Sequence, residues 1–237
     1  AYGAHTLQVE RLASADTRLS RRYDTSGSAL SAYADTTQAF DITIQKPEAT
    51  GGQVTISVSA DLTGKTTDGD ILAEVNRAIN TAMDDAVTAG TLSASDKTVA
   101  SLVHETSGTS RLTVRSGKTG FENQLQFSGS AFLDALEVTA TTLQSDNALV
   151  DPDAGGAVTK IGTGELDSDL NSKFILDGLT LYRGTNTVTD AVDGLTINLK
   201  KADNEPVEFS VTADATGIKN KLNDFIKKYN DLLVYLQ

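Results

Sequence analysis

The stretch VTISVSADLTGKTTDGDILAEVNRAINTAM, residues 54–83, changes its period midway. Val54, Ile56 and Val58 alternate with Thr and Ser, which turns one face of an extended chain toward a core and leaves the other wet. From Ile71 the spacing becomes helical. Ile71, Leu72, Val75, Ala78, Ile79, Ala82 and Met83 fall on one side of a helix, with Asp68 or Asp70 available as its N-cap. A strand period passing into a helix period within one stretch points to a chain that mixes both kinds of element.

Strand alternation recurs on both sides of this stretch, at Leu7 and Val9, Ile42 and Ile44, Leu112 and Val114, and Leu125 and Phe127. It returns at Leu195, Ile197 and Leu199, and at Val207, Phe209 and Val211. Gly51-Gly52, Asp177-Gly178 and Asp193-Gly194 stand where tight turns join such strands. Residues 84–100 and 139–172 are rich in Ser, Thr, Gly, Asp and Ala, show little periodicity, and read as long connections. The predicted fold class is α+β, mostly antiparallel β.

A second helix is predicted at the C-terminus. Ile218, Leu222, Phe225, Tyr229, Leu232 and Leu236 follow one another at intervals of 4, 3, 4, 3 and 4, the a/d seam of a coiled coil. Lys219, Lys221, Asp224, Lys227, Lys228 and Asp231 occupy its other faces. The seam is still running at Gln237, so this segment reads as the start of a helical leg, and the six apolar residues are the candidate helix-packing positions.

Charge divides the 237 residues unevenly. Residues 41–172 carry a net −11 of the total −12, residues 1–40 carry zero, 173–213 carry −2 and 214–237 carry +1. With strand patterns on both flanks, that step predicts a split β-rich domain of residues 1–40 and 173–213. Residues 41–172 form an acidic domain inserted into it, and 214–237 begin the leg. The acidic balance argues against nucleic acid and anionic membrane surfaces as partners. No apolar run reaches the roughly 18 residues a membrane span needs. Cysteine is absent, which removes disulfides, thiol catalysis and cysteine zinc sites. The chain opens on Ala1 and reads as an excised fragment of an extracellular protein.

No constellation for catalysis emerges. His5 and His104 lie far apart, with no partner at metal-ligand spacing. Gly64-Lys65-Thr66 and Gly117-Lys118-Thr119 lack the earlier glycine of a phosphate loop, having Ser59 and Leu112 there instead. Asp68-Gly69-Asp70 and Asp151-Pro152-Asp153 suggest calcium. Aligning Gly69 with the central glycine of a calcium loop, however, puts Gly64 and Val75 at its first and last ligand positions. The expectation is a protein that is not an enzyme, with no catalytic residue, cofactor or metal site.

Three stretches together resemble the flagellar filament cap family, also called hook-associated protein 2. Gly3–Val9 with Leu12-Ala13 is similar to the family's strand leading out of its stalk. Asp70–Asn80 resembles the helix of the flagellin hook repeat, named for its Ile-Asn pair, and Ser110–Val114 through Gly117–Gly120 resembles the repeat's closing part. Phe174–Gly178, Arg183–Val192 and Gly194–Leu199, followed by the helix with Asp224–Leu232, resemble the family's C-terminal region. The resemblance implies two β-rich head domains, one inserted in the other, on the start of a coiled-coil leg. It also implies an assembly protein at the distal tip of the extracellular flagellum, capping the filament and promoting flagellin polymerisation. Its partners would be itself, in a closed pentamer-like ring, and flagellin. The alternatives are a tip adhesin for host or environmental surface ligands, or another axial component such as a hook-filament junction protein.

Overall fold

The computed structural model describes residues 2–140, 153–212 and 215–235. Along the chain come β1 (Gly3–Arg11), β2 (Ala15–Leu19), β3 (Tyr23–Asp24), β4 (Thr37–Ile44), β5 (Val54–Asp61), α1 (Asp68–Thr88), β6 (Val99–Thr106), β7 (Thr109–Thr119), β8 (Leu125–Ser128) and α2 (Ala131–Leu136). They are followed by β9 (Gly156–Ala157), β10 (Ser172–Leu176), β11 (Leu179–Arg183), β12 (Thr187–Val188), β13 (Ile197–Asn198), β14 (Val207–Val211) and α3 (Ala215–Tyr235). Every strand pairing among the described residues is antiparallel, and the α+β class holds.

Two separate apolar cores define two units. The smaller centres on Phe174, Leu176, Val188, Ile197 and Leu199, under a sheet of order β11-β10-β1-β14. The two residues Asp177 and Gly178, both at positive φ, join β10 to β11, as a hairpin of this length requires. In the larger unit α1 packs between β5 of the β5-β4-β8 sheet and strands β6, β7 and β3 of the second sheet. Ile71, Leu72, Val75, Ala78, Ile79 and Met83 are buried there, the face its spacing predicts.

The pairings move the expected boundary. β1 joins β10 and β14, but β2 and β3 pair with β7, and β4 pairs with β5 and β8. Tyr23 and Leu30 are buried in the larger core. The chain therefore leaves the smaller unit near residue 13 rather than 40 and re-enters it near 171. Residues 13–40 carry three acidic and three basic side chains, so the charge step passed over them.

Three smaller expectations change as well. The N-cap of α1 is Thr67, whose hydroxyl accepts from the Asp70 amide at 3.2 Å. Asp68 is instead turned inward, accepting from the amides of Ala29 and Leu30 at 3.0 and 2.8 Å. Residues 84–88 are not a connection but the last turn of α1, because Ala86 still reaches the core. Of the Leu195–Leu199 alternation only Ile197-Asn198 forms a strand, paired with β12.

Candidate functional site

The residues tested for chemistry are occupied structurally. His5 Nδ1 lies 2.6 Å from Asp177 Oδ2, and its ring stacks on Phe209 at 5.4 Å. The His5 hydrogen bond, helped by the Thr6 amide, holds the Asp177 carboxyl below the usual carboxylate range. His104 Nδ1 is 2.7 Å from the Ser110 hydroxyl, but Ser110 is fully buried and out of a substrate's reach. Asp68 and Asp70 are used by backbone amides and the helix cap, and Asp153 pairs with Arg22; Asp151 lies outside the described residues. No group of His, Asp or Glu able to hold a metal ion occurs among the described residues, and none of their helices is long and apolar enough to cross a membrane.

What the structure does concentrate is a joint between the two units. At the outgoing crossing the Asn186 side chain brackets Ala13, accepting from its amide at 2.7 Å and donating to its carbonyl at 2.9 Å. At the returning crossing Asn171 accepts from the Phe121 amide at 2.8 Å and donates to the Glu165 carbonyl at 2.9 Å. The Ser14 amide donates to the Leu170 carbonyl at 3.0 Å, tying one crossing to the other. The Thr119 hydroxyl donates to the Gly184 carbonyl at 2.6 Å, and a Cβ on Gly120 would lie 2.5 Å from the Gly184 Cα. Arg11 adds bonds to the carbonyls of Asn171 and Ser168 and an ion pair with Asp169. Two chain crossings held by side chain-to-backbone bonds fix the units against each other more firmly than a flexible linker would.

Asn80, the second member of the Ile-Asn pair, performs a similar task inside the larger unit. Its carboxamide donates to the Ala100 carbonyl at 2.9 Å and accepts from the Ala100 amide at 3.1 Å, acting as a one-residue strand on β6. Ile79 beside it is buried in the core. Asn80→Ala should cost about 2 kcal/mol, because it leaves both backbone groups of Ala100 without a partner. Chemical denaturation measures this, with accelerated hydrogen exchange at the Ala100 amide. The exposed Thr81→Ala serves as a near-neutral reference.

A buried carboxylate anchors the segment before β6. Asp96 is almost fully buried and meets Lys118 Nζ at 2.7 Å, which also reaches Glu48 at 3.0 Å. Burial pushes the Asp96 carboxyl up, but bonds from Lys118, the Ser93 hydroxyl and the Glu48 amide outweigh it and hold the group below its ordinary 3.8. A depressed folded value means that this contribution is intact above the ordinary range and lost as pH falls through the folded value. Lys118→Met should cost about 2 kcal/mol near neutrality and shift acid unfolding to higher pH, as a pH titration of the circular dichroism would show.

The predicted packing seam lies on α3. Ile218, Leu222, Phe225, Tyr229 and Leu232 share one side of the helix, all exposed, with Phe225 and Tyr229 stacked at 6.4 Å; Leu236 lies outside the described residues. No described side chain of α3 is buried. The seam is wider than its a/d spacing implied, because Ile226 and Leu233, seven apart and each next to a seam residue, extend it on one flank. Their heptad spacing was readable, but neither falls on the strict a/d row.

Two mostly antiparallel β units are followed by an amphipathic helix none of whose described side chains is buried. Residues 170–237 match the family model described as Flagellar hook-associated protein 2 C-terminus. The A-type flagellar hook-associated protein 2 of Pseudomonas aeruginosa is 30% identical over 189 residues, 77% of this chain and 37% of that protein. The flagellar hook-associated protein 2 of Campylobacter jejuni is 31% identical over 143 residues, 53% of this chain and 21% of that protein. Residues 170–237 thus match the C-terminal part of flagellar hook-associated protein 2, and the chain is similar to these two relatives while spanning well under half the length of either. The fold is likewise similar to the D1-D2-D3 domains of the Escherichia coli flagellar cap protein FliD, with a TM-score of 0.63 at 22% identity, over 98% of this chain and 55% of that one. Against FliD (HAP2) from Pseudomonas aeruginosa PAO1 the TM-score is 0.62 at 23% identity, over 98% and 90% of the two chains.

Proposed function

We propose that this chain is the head and the beginning of the leg of a filament-capping subunit, a structural assembly protein without catalytic activity. The protein works outside the cell at the distal tip of the flagellum, where copies of it close into a ring and promote the polymerisation of flagellin. The observation that carries this reading is the pairing of a firmly jointed head with a helix whose apolar seam is wholly exposed. Five large side chains in a row gain little from water and need a second surface. Ile218, Leu222, Phe225, Tyr229, Leu232 and Leu236 supply the helix-to-helix contact, with Ile226 and Leu233 widening it. A stripe of a, d and e positions suits a helix flanked on more than one side. The acidic larger unit, inserted between residues 13 and 171 into the smaller one, faces outward and keeps the assembly soluble. A closed heterologous ring, pentamer-like, is the symmetry that gives every copy the same neighbours and leaves a chamber beneath.

The test is complementation. The full-length protein, expressed in a strain lacking its own cap and given matching flagellin, should restore filaments and swimming. Flagellin lost to the medium at the level of the uncomplemented strain would contradict the reading.

A further inference from the structure

One face of the larger unit carries a hollow around an exposed arginine. In β7, Leu112 and Val114 enter the core, so Thr113 and Arg115 stand on the opposite face. Register places Thr17 and Val99 on either side of Arg115, and Leu19 and Ser101 on either side of Thr113. β7 is bonded along both edges, which makes this floor rigid. Residues 94–97 form a wall beside it. They approach so closely that a Cβ on Gly117 would lie 2.7 Å from the Asp96 and Lys97 backbone, and the Asp96–Lys118 pair pins them there. Floor and wall enclose an open hollow of about 680 Å³.

The hollow's charge is anomalous for so acidic a chain. Each of the seven other arginines has a carboxylate partner within ion-pair distance. Arg115 is exposed and has no ion pair among the described residues. The nearby cations are engaged, Lys97 with Asp84 and Lys118 with Asp96. Around Arg115 lie hydroxyls. Thr17 and Thr113 donate their protons to the carbonyls of Ala15 and Ser101, at 3.3 and 3.2 Å, and so present acceptor lone pairs. Val99, 47% exposed, adds an aliphatic patch.

We propose that this hollow binds a carboxylate-bearing sugar, of the uronic or sialic acid type. The guanidinium fork takes the carboxylate in two parallel bonds, the threonine oxygens accept from sugar hydroxyls, and Val99 covers a C–H face. Phosphate fits poorly, since it is usually held by free backbone amides or several cations, and the amides of β7 are spent in the ladder. An acidic side chain of a second copy satisfies Arg115 but brings no donors for the hydroxyl oxygens.

The experiment is an amide-shift titration of the ¹⁵N-labelled chain with methyl glucuronide, alongside methyl glucoside and acetate. The expected result is saturable shifts at residues 17, 99–101 and 113–117, with binding about tenfold weaker for the glucoside and for acetate. Arg115→Gln, on the solvent face, should keep the wild-type melting temperature and bind about tenfold more weakly, and Thr113→Val should bind severalfold more weakly. Absence of saturable shifts, shifts centred elsewhere, or undiminished binding by Arg115→Gln would overturn the proposal. Acetate binding as well as the glucuronide would overturn it too, because the face would then read charge alone.

Discussion

Gly120→Ala should destabilise the head by about 4 kcal/mol, because two independent penalties fall on one methyl group. Gly120 has φ +95° and ψ 157°, a region reserved almost entirely to glycine. Its new Cβ would also meet the Gly184 Cα at 2.5 Å, and that obstacle is backbone rather than a side chain that can swing aside. Relief requires the Thr119–Gly184 bond to break and the two units to move apart at the returning crossing. For a chain of this size each kcal/mol shifts melting by roughly 3 °C, so a loss of about 12 °C is expected. Gly52→Ala, with open space around the added methyl and an ordinary φ, should change melting by a degree or so at most. Indistinguishable melting of the two variants would mean that the joint is slack.

The parts of this fold legible in the sequence are those where burial follows period. The alternations in β4, β5, β7 and β8 and the buried face of α1 are direct consequences of one wet side and one dry side. β2 was hidden because its core-facing positions are polar: Asp16 and Arg18 form a buried pair, and Asp16 also accepts from the Leu125 amide at 2.8 Å. Once paired and bonded, such groups sit where hydrophobic alternation would put apolar ones, and no periodicity reports them. β3 has only two residues and α2 only six, too short to show a period. The joint is not legible in the sequence. Asn186 lies within the Arg183–Val192 stretch, but that it brackets Ala13, 173 positions away, is a property of the tertiary structure. The Arg115 hollow depends likewise on which strands flank β7.

The apolar stripe of α3 is the second place where a single side chain should matter greatly. Phe225→Ala in the full-length protein should cost about 3 kcal/mol, the usual size of a buried aromatic truncation. Lys227→Ala lies off the seam and should cost a few tenths of a kcal/mol. Ile226→Ala should fall between them, about 2 kcal/mol, if the stripe is as wide as the structure shows. In the 237-residue chain the same changes should be nearly silent, because every one of these side chains is already exposed there. That contrast between chain lengths separates a packing surface from an ordinary amphipathic helix.

The most direct test of the account is therefore the thermal unfolding of full-length Phe225→Ala beside Lys227→Ala, with filament growth followed in the same two strains. The account predicts a clear loss of melting temperature and of swimming for Phe225→Ala, and near wild-type behaviour for Lys227→Ala. Equal effects from the two substitutions would contradict it, leaving α3 a solvent-facing helix and the capping role without its leg.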